Sequence, residues 1–198
     1  YTILDIYTKD FGRVSYMVAR KRGKRSSVSQ ALFMPLSVLD LEVEHQNKRD
    51  IQRIKEVHLA FSASSFQLDP VKNVLALFLS EVLFRVVKDT QSDERMYAFL
   101  TDSVRILDSV EQGLANFHVA FLLNLLHYLG IFPNVEHPRD ALYFDMLNGV
   151  FVCQQPTHPY YLQPAETVVF QRLLKMSYEN MSLYAFSRQD RVRILHRI

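Results

Sequence analysis

The 198-residue chain has one cysteine and no tryptophan, and only 5 glycines and 7 prolines. One cysteine forms no internal disulfide and no multi-thiolate zinc site, which fits a reducing compartment. So few glycines and prolines exclude a collagen-like or low-complexity linker chain. No run of about 18 uncharged apolar residues occurs, so no transmembrane helix is expected. No basic-then-apolar secretory start is present either. Disorder is excluded by what the chain has: 48% of its residues are hydrophobic, enough for a sizeable core. The chain opens on Tyr1 without an initiator Met and stops within an amphipathic stretch at Ile198, so both ends read as cut.

The most local absence is of acid. Asp10 and Asp40 are separated by no acidic residue, and that gap holds Arg13, Arg20, Lys21, Arg22, Lys24 and Arg25. The net charge of +2 therefore hides a contrast between +4 over Tyr1 to Phe66 and −2 over the remainder.

The pattern changes at the same point. Strand-like segments are expected at Tyr1 to Thr8, Arg13 to Ala19, Leu36 to His45 and Ile51 to Phe61, with a turn at Asp10-Phe11-Gly12. The last of these also fits a helix; flanking turns favour a strand. Several short strands in so few residues suggest a small barrel or sandwich. Beyond Phe66 the period is helical. Asp69 is an N-cap and Pro70 a first helical residue for a helix carrying Val71, Val74, Leu75, Phe78, Leu79 and Val82. Ser92-Asp93-Glu94 opens a second helix and Gly113 precedes a third. That third helix, Leu114 to Leu129, is apolar nearly all round, as in the centre of a bundle. Pro138 to Pro164 reads as irregular, and Ala165 to Ser177 and Arg188 to Ile198 as helices. The expected organisation is α+β: a basic β domain over 1–66, then an α-helical domain over 67–198.

Arg20-Lys21-Arg22-Gly23-Lys24-Arg25 places five cations in six positions. Such charges repel one another, and folding gives no reason to cluster them. A polyanion gives one, because each neutralised phosphate releases counterions without any base contact; a merely solvated loop is the alternative. Lys48, Arg49, Arg53 and Lys55 extend the patch, against Asp50 and Glu56. Tyr7, Phe11, Tyr16 and Phe33 flank it. On a small barrel, exposed aromatics beside cations stack single-stranded bases; buried ones are simply core. The expected nucleic-acid contacts are Arg13, Arg20, Lys21, Arg22, Lys24, Arg25, Lys48 and Arg49.

Other chemistry has less support. Cys153 and His158, with His137 and His127, fall short of four well-placed zinc ligands, so no metal is expected. Gly-rich phosphate loops and nucleophile elbows are absent, and an enzyme is not expected. Asp89, Asp93 and Glu94 fit helix capping. His118 and His127 fit packing on the apolar third helix. Phe78, Phe84, Phe99, Phe117 and Phe121 exceed one bundle core; most are expected to pack in the core and some to line a groove for a partner segment. The alternatives left open are an OB-type RNA- or ribosome-associated module and a helical enzyme with a site in Pro138–Pro164.

The ordered set DIYTKDFGRVSYMVARKRGKRSS, ALFMPLSVLDLEVEH and RDIQRIKEVH resembles the N-terminal OB-fold of the bacterial RecO family of DNA repair proteins. KNVLALFLSEVLFRVVKD, ANFHVAFLLNLLHYLGIFPN and ALYFDMLNGVF resemble its helical domain, in the form found in Bacteroidetes-type bacteria. The resemblance implies a five-stranded barrel whose first strand lies mostly before Tyr1. It implies binding and annealing of single- and double-stranded DNA in the cytoplasm, at the nucleoid. It implies work with RecR to load RecA on strands coated by the single-stranded DNA-binding protein, SSB, whose acidic tail binds the helical domain. No cofactor is implied. Many relatives carry a four-cysteine zinc module after the glycine matching Gly149; here only Cys153 remains, so the region of about 145–163 is read as degenerate.

Overall fold

The computed structural model describes residues 1–18, 30–46, 48–63, 65–88, 91–136 and 140–195. The chain divides into two compact units, Tyr1–Val110 and Glu111–Ile198.

The first unit opens with β1 (Thr2–Thr8) and β2 (Gly12–Val18), an antiparallel hairpin in register from Thr2↔Val18 to Thr8↔Gly12. Its turn is held by Thr8, whose Oγ1 donates to the Gly12 carbonyl and accepts from the Phe11 N–H, each at 3.0 Å. A second antiparallel pair, β3 (Val38–Glu44) and β4 (Ile51–Phe61), completes a sheet in the order β1-β2-β4-β3. Ile51 to Phe61 is therefore a strand, as its flanking turns indicate. Central β2 and β4 run parallel, with Ser15 opposite Ile51 and Met17 opposite Arg53. Two register shifts in the β3–β4 pair bend the sheet. One face buries Tyr16, Gln52 and Val57. Burial also pushes the Tyr16 phenol pKa up.

Three helices follow in the same unit: α1 (Ser65–Leu68), α2 (Pro70–Val86) and α3 (Glu94–Ser109). Their starts obey local physics. Asp69 accepts from the Val71 and Lys72 N–H groups, and Asp93 from those of Arg95 and Met96. Buried Lys72 ties the three together. Its Nζ donates to the Asp108 carbonyl at 2.6 Å and to Ser65 Oγ at 3.4 Å, while the Asp108 carboxylate accepts the Ser65 N–H at 3.0 Å. The change of pattern at Phe66 thus falls where the four-stranded sheet gives way to helices, while the compact unit continues to Val110.

In the second unit, α4 (Phe117–Tyr128) is the all-round apolar helix, with Phe117, Val119, Ala120, Phe121, Leu123 and Leu125 buried. α5 (Pro164–Leu173) and α6 (Arg188–Leu195) follow. The stretch expected to be irregular is not wholly so. It holds β5 (Tyr143–Asp145), β6 (Val150–Val152) and β7 (Tyr161–Leu162), an antiparallel sheet in the order β6-β5-β7. Strands of two or three residues are too short to show a readable alternation. What forms them is tertiary: Phe144, Phe151 and Leu162 close a core with Phe170 of α5. Of the surplus phenylalanines, Phe99, Phe117 and Phe121 are core, while Phe78 and Phe84 stay exposed.

Candidate nucleic-acid interface

The parallel pairing of β2 with β4 has a geometric consequence. The β1–β2 turn leads into β2 and the β3–β4 turn leads into β4, so both turns emerge at one end of the sheet. Gln52, only 2% exposed, secures the second turn from inside. Its Oε1 accepts the Gln46 N–H at 3.0 Å, and its Nε2 donates to the carbonyls of Gln46 and Arg49 at 2.9 and 2.6 Å. With the backbone so fixed, Lys48 and Arg49 stand exposed. The turns touch through Phe11 and His45, whose rings stack at a centroid distance of 4.0 Å and an interplanar angle of 4°.

The other expected contacts divide. Arg20, Lys21, Arg22, Lys24 and Arg25 lie outside the described residues. Val18, the last described residue before them, is at the far end of β2 from the Lys48–Arg49 turn, roughly 20 Å along a seven-residue strand. Arg53 and Lys55 are exposed; the neighbouring β3 sets Glu44 opposite Arg53, while Lys55 falls in the register shift between Glu42↔Glu56 and Val43↔Ile54. Of the flanking aromatics, Tyr16 is core, Tyr7 and Phe33 are half-buried, and Phe11 remains exposed.

Arg13, one of the expected contacts, is engaged within the fold. Its guanidinium donates to the carbonyls of Phe84 and Val87, at 2.7 and 3.1 Å, at the C-terminal end of α2. It lies 4.4 Å from the Phe84 ring centroid, with Asp5 at 3.5 Å. Ser15 Oγ in turn donates to Asp5. A cation at a helix C-terminus satisfies orphan carbonyls and complements the dipole. Arg13 thus docks α2 on the outer face of the β1–β2 hairpin. Partners more than 70 positions away leave no local sequence signal. Arg13→Ala is expected to lower stability by about 2 kcal/mol, seen as a lower urea midpoint, with little change in the salt dependence of DNA binding. Arg13→Lys is expected to recover only part of the loss, because a single ammonium lacks the planar fork.

Of the residues raised for metal binding, His137 lies outside the described residues, His127 stacks on Phe132, and Cys153 and His158 engage different partners. The Cys153 thiol donates to Asp140 Oδ1 at 3.3 Å, and that hydrogen bond to a carboxylate pushes the thiol pKa up. A thiol held in its protonated form is a poor metal ligand and a poor nucleophile. His158 Nε2 instead lies 3.3 Å from Asp145 Oδ1, and its Nδ1 accepts the Tyr160 N–H. Among the described residues, no group of three or more His, Cys, Asp or Glu could hold a metal ion. Nor is any helix among them long and apolar enough to cross a membrane.

Asp145 organises this region. It accepts from the N–H groups of Leu147 and Asn148 and from Asn148 Nδ2, pinning the β5–β6 turn. Burial would raise its pKa, but the hydrogen bonds from Asn148, His158 and Leu147 outweigh it and hold the carboxyl below the usual range. A depressed folded value stabilises above the unfolded pKa, near 4, and that stabilisation is lost as pH falls through the folded value. Urea midpoints of the native chain are thus expected to fall on acidification below about pH 4. Asp145→Asn should start lower and lack this increment. An identical acid dependence in both would refute the role.

Residues 1–63 match the family described as Recombination protein O N terminal, and residues 67–196 match Recombination protein O C terminal. The DNA repair protein RecO of Azobacteroides pseudotrichonymphae genomovar. CFP2 is 36% identical over 198 residues, covering 100% of this chain and 82% of that protein. RecO of Phocaeicola vulgatus is 37% identical over 193 residues, covering 98% of this chain and 80% of that protein. RecO of Porphyromonas gingivalis is 34% identical over 199 residues, covering 98% and 81%. With both halves matched in order, and an N-terminal sheet followed by helices as the OB-fold and helical parts of that family require, this chain belongs to the recombination protein O family.

Proposed function

We propose that this chain is a non-enzymatic mediator of DNA repair and homologous recombination. It binds single- and double-stranded DNA, anneals complementary strands, and works with RecR to help load RecA on SSB-coated DNA, in the cytoplasm at the nucleoid. Residues 1–66 bind the nucleic acid, and 67–198 receive partners, including the SSB tail. The observation that carries this reading is the match of both halves to one family whose relatives are named as DNA repair proteins. The acid-free basic stretch supports it independently. Annealing then has a simple physical account. Cations held between two phosphate backbones lower their repulsion, and base pairing supplies the specificity. No bond is made or broken.

The test is annealing of two labelled complementary strands, bare and SSB-coated, with and without RecR. Faster duplex formation than in buffer is expected, with RecR needed for the step that follows on coated strands. Competition with RNA of the same sequence separates the alternative. Strong preference for RNA would move the protein to the ribosome-associated class.

A further inference from the structure

We propose that the Phe11–His45 pair is a stacking ledge for a base of single-stranded nucleic acid, with Lys48 and Arg49 as its adjacent phosphate contacts. The proposal rests on the DNA-binding reading above and gives it a place on the sheet. Four observations converge on it. The parallel β2–β4 pairing brings the two turns to one end. The rings are parallel within 4° and stacked face to face. Phe11 is still 37% exposed although the imidazole covers one of its faces. The imidazole Nδ1 is buried and finds no hydrogen-bond partner among the described residues, so the ring is held by packing and serves as a backing plane.

Exposure of one phenylalanine carries no weight by itself, since single exposed apolar residues are common. Its position does. Directly after His45, Gln46 and Asn47, the chain presents two exposed cations on a turn that Gln52 holds by hydrogen bonds. An aromatic face beside fixed cations is the arrangement that binds single strands without sequence preference, because every base has a π-face. Asp10 and Asp50 lie on the same turns, so the local charge is modest and stacking must supply much of the attraction.

The absence of tryptophan makes the test direct. Phe11→Trp puts a sole indole at the ledge of the full chain. Its fluorescence is expected to be quenched by a thymidine oligomer and not by an abasic oligomer of the same length and charge. Phe11→Leu is expected to weaken binding of the thymidine oligomer by about 5- to 30-fold. Affinity for the abasic strand, the salt slope and the thermal midpoint should stay as in the native chain. An unquenched indole, or a Phe11→Leu variant that keeps the native preference for bases over abasic backbone, would overturn the ledge while leaving DNA binding intact. If the native chain bound neither oligomer, the DNA-binding reading would fall and the ledge with it.

Discussion

Replacing Arg20, Lys21, Arg22, Lys24 and Arg25 together by Ala is expected to remove most of the salt dependence of single-stranded DNA binding. Each phosphate neutralised on a single strand contributes about 0.7 to the slope of log affinity against log salt. Five contacts therefore account for a slope of about 3.5. Between 50 and 200 mM salt that slope amounts to about a hundredfold in affinity. The native chain should lose that much over this range and the variant little, so the two converge as salt rises. Thermal stability should be unchanged or slightly higher, because the substitution removes like-charge repulsion. Fluorescence anisotropy at four or five salt concentrations measures both slopes. A native slope in the variant would place the phosphate contacts elsewhere, with Lys48 and Arg49 the next cations to replace.

Gly113→Ala is expected to destabilise the second unit by about 3 kcal/mol. Two costs add at this position. The backbone has φ of +79°, where a side chain is strained by about 1–2 kcal/mol. An added Cβ would also lie 2.8 Å from the Ser182 nitrogen and 2.9 Å from its Cα. Those are backbone atoms of the short helical turn Met181–Leu183. Asn116 holds that turn through Nδ2, donating to the Met181 carbonyl at 2.9 Å and the Tyr184 carbonyl at 2.7 Å, so it cannot easily withdraw. Gly149 supplies the comparison. Its φ is +66°, but nothing lies within 4 Å of an added Cβ. Gly149→Ala should cost only about 1 kcal/mol, the backbone part alone. Thermal midpoints measure the difference. For a chain of this size, 3 kcal/mol corresponds to a drop of about 6–12 °C. Equal shifts in the two variants would show that the approach to Ser182 costs nothing.

These cases show what kind of feature is readable before folding. Asp69 and Asp93 were legible as caps because a cap joins a side chain to backbone two or three residues on. The helix Phe117–Tyr128 was legible because being apolar on every side already states that it is buried. Gly113 was legible only as a break; its close approach to Ser182 spans 69 positions. The engagement of Arg13 with α2 was hidden for the same reason. A cation in an acid-free stretch looks free for phosphate until α2 arrives with two unsatisfied carbonyls.

Composition, charge placement and periodicity determined by themselves that a basic strand-rich segment precedes a helical one. Those properties are set by neighbours within a turn or two of chain. Tertiary structure alone decided which cations remain available. Antiparallel β3 sets Glu44 against Arg53, α2 engages Arg13, and the parallel β2–β4 pair carries Lys48 and Arg49 to the end where Phe11 meets His45. Whether a charge is free depends on what lies within a few ångströms of it, and strand pairing and helix docking bring together residues that are far apart in the chain.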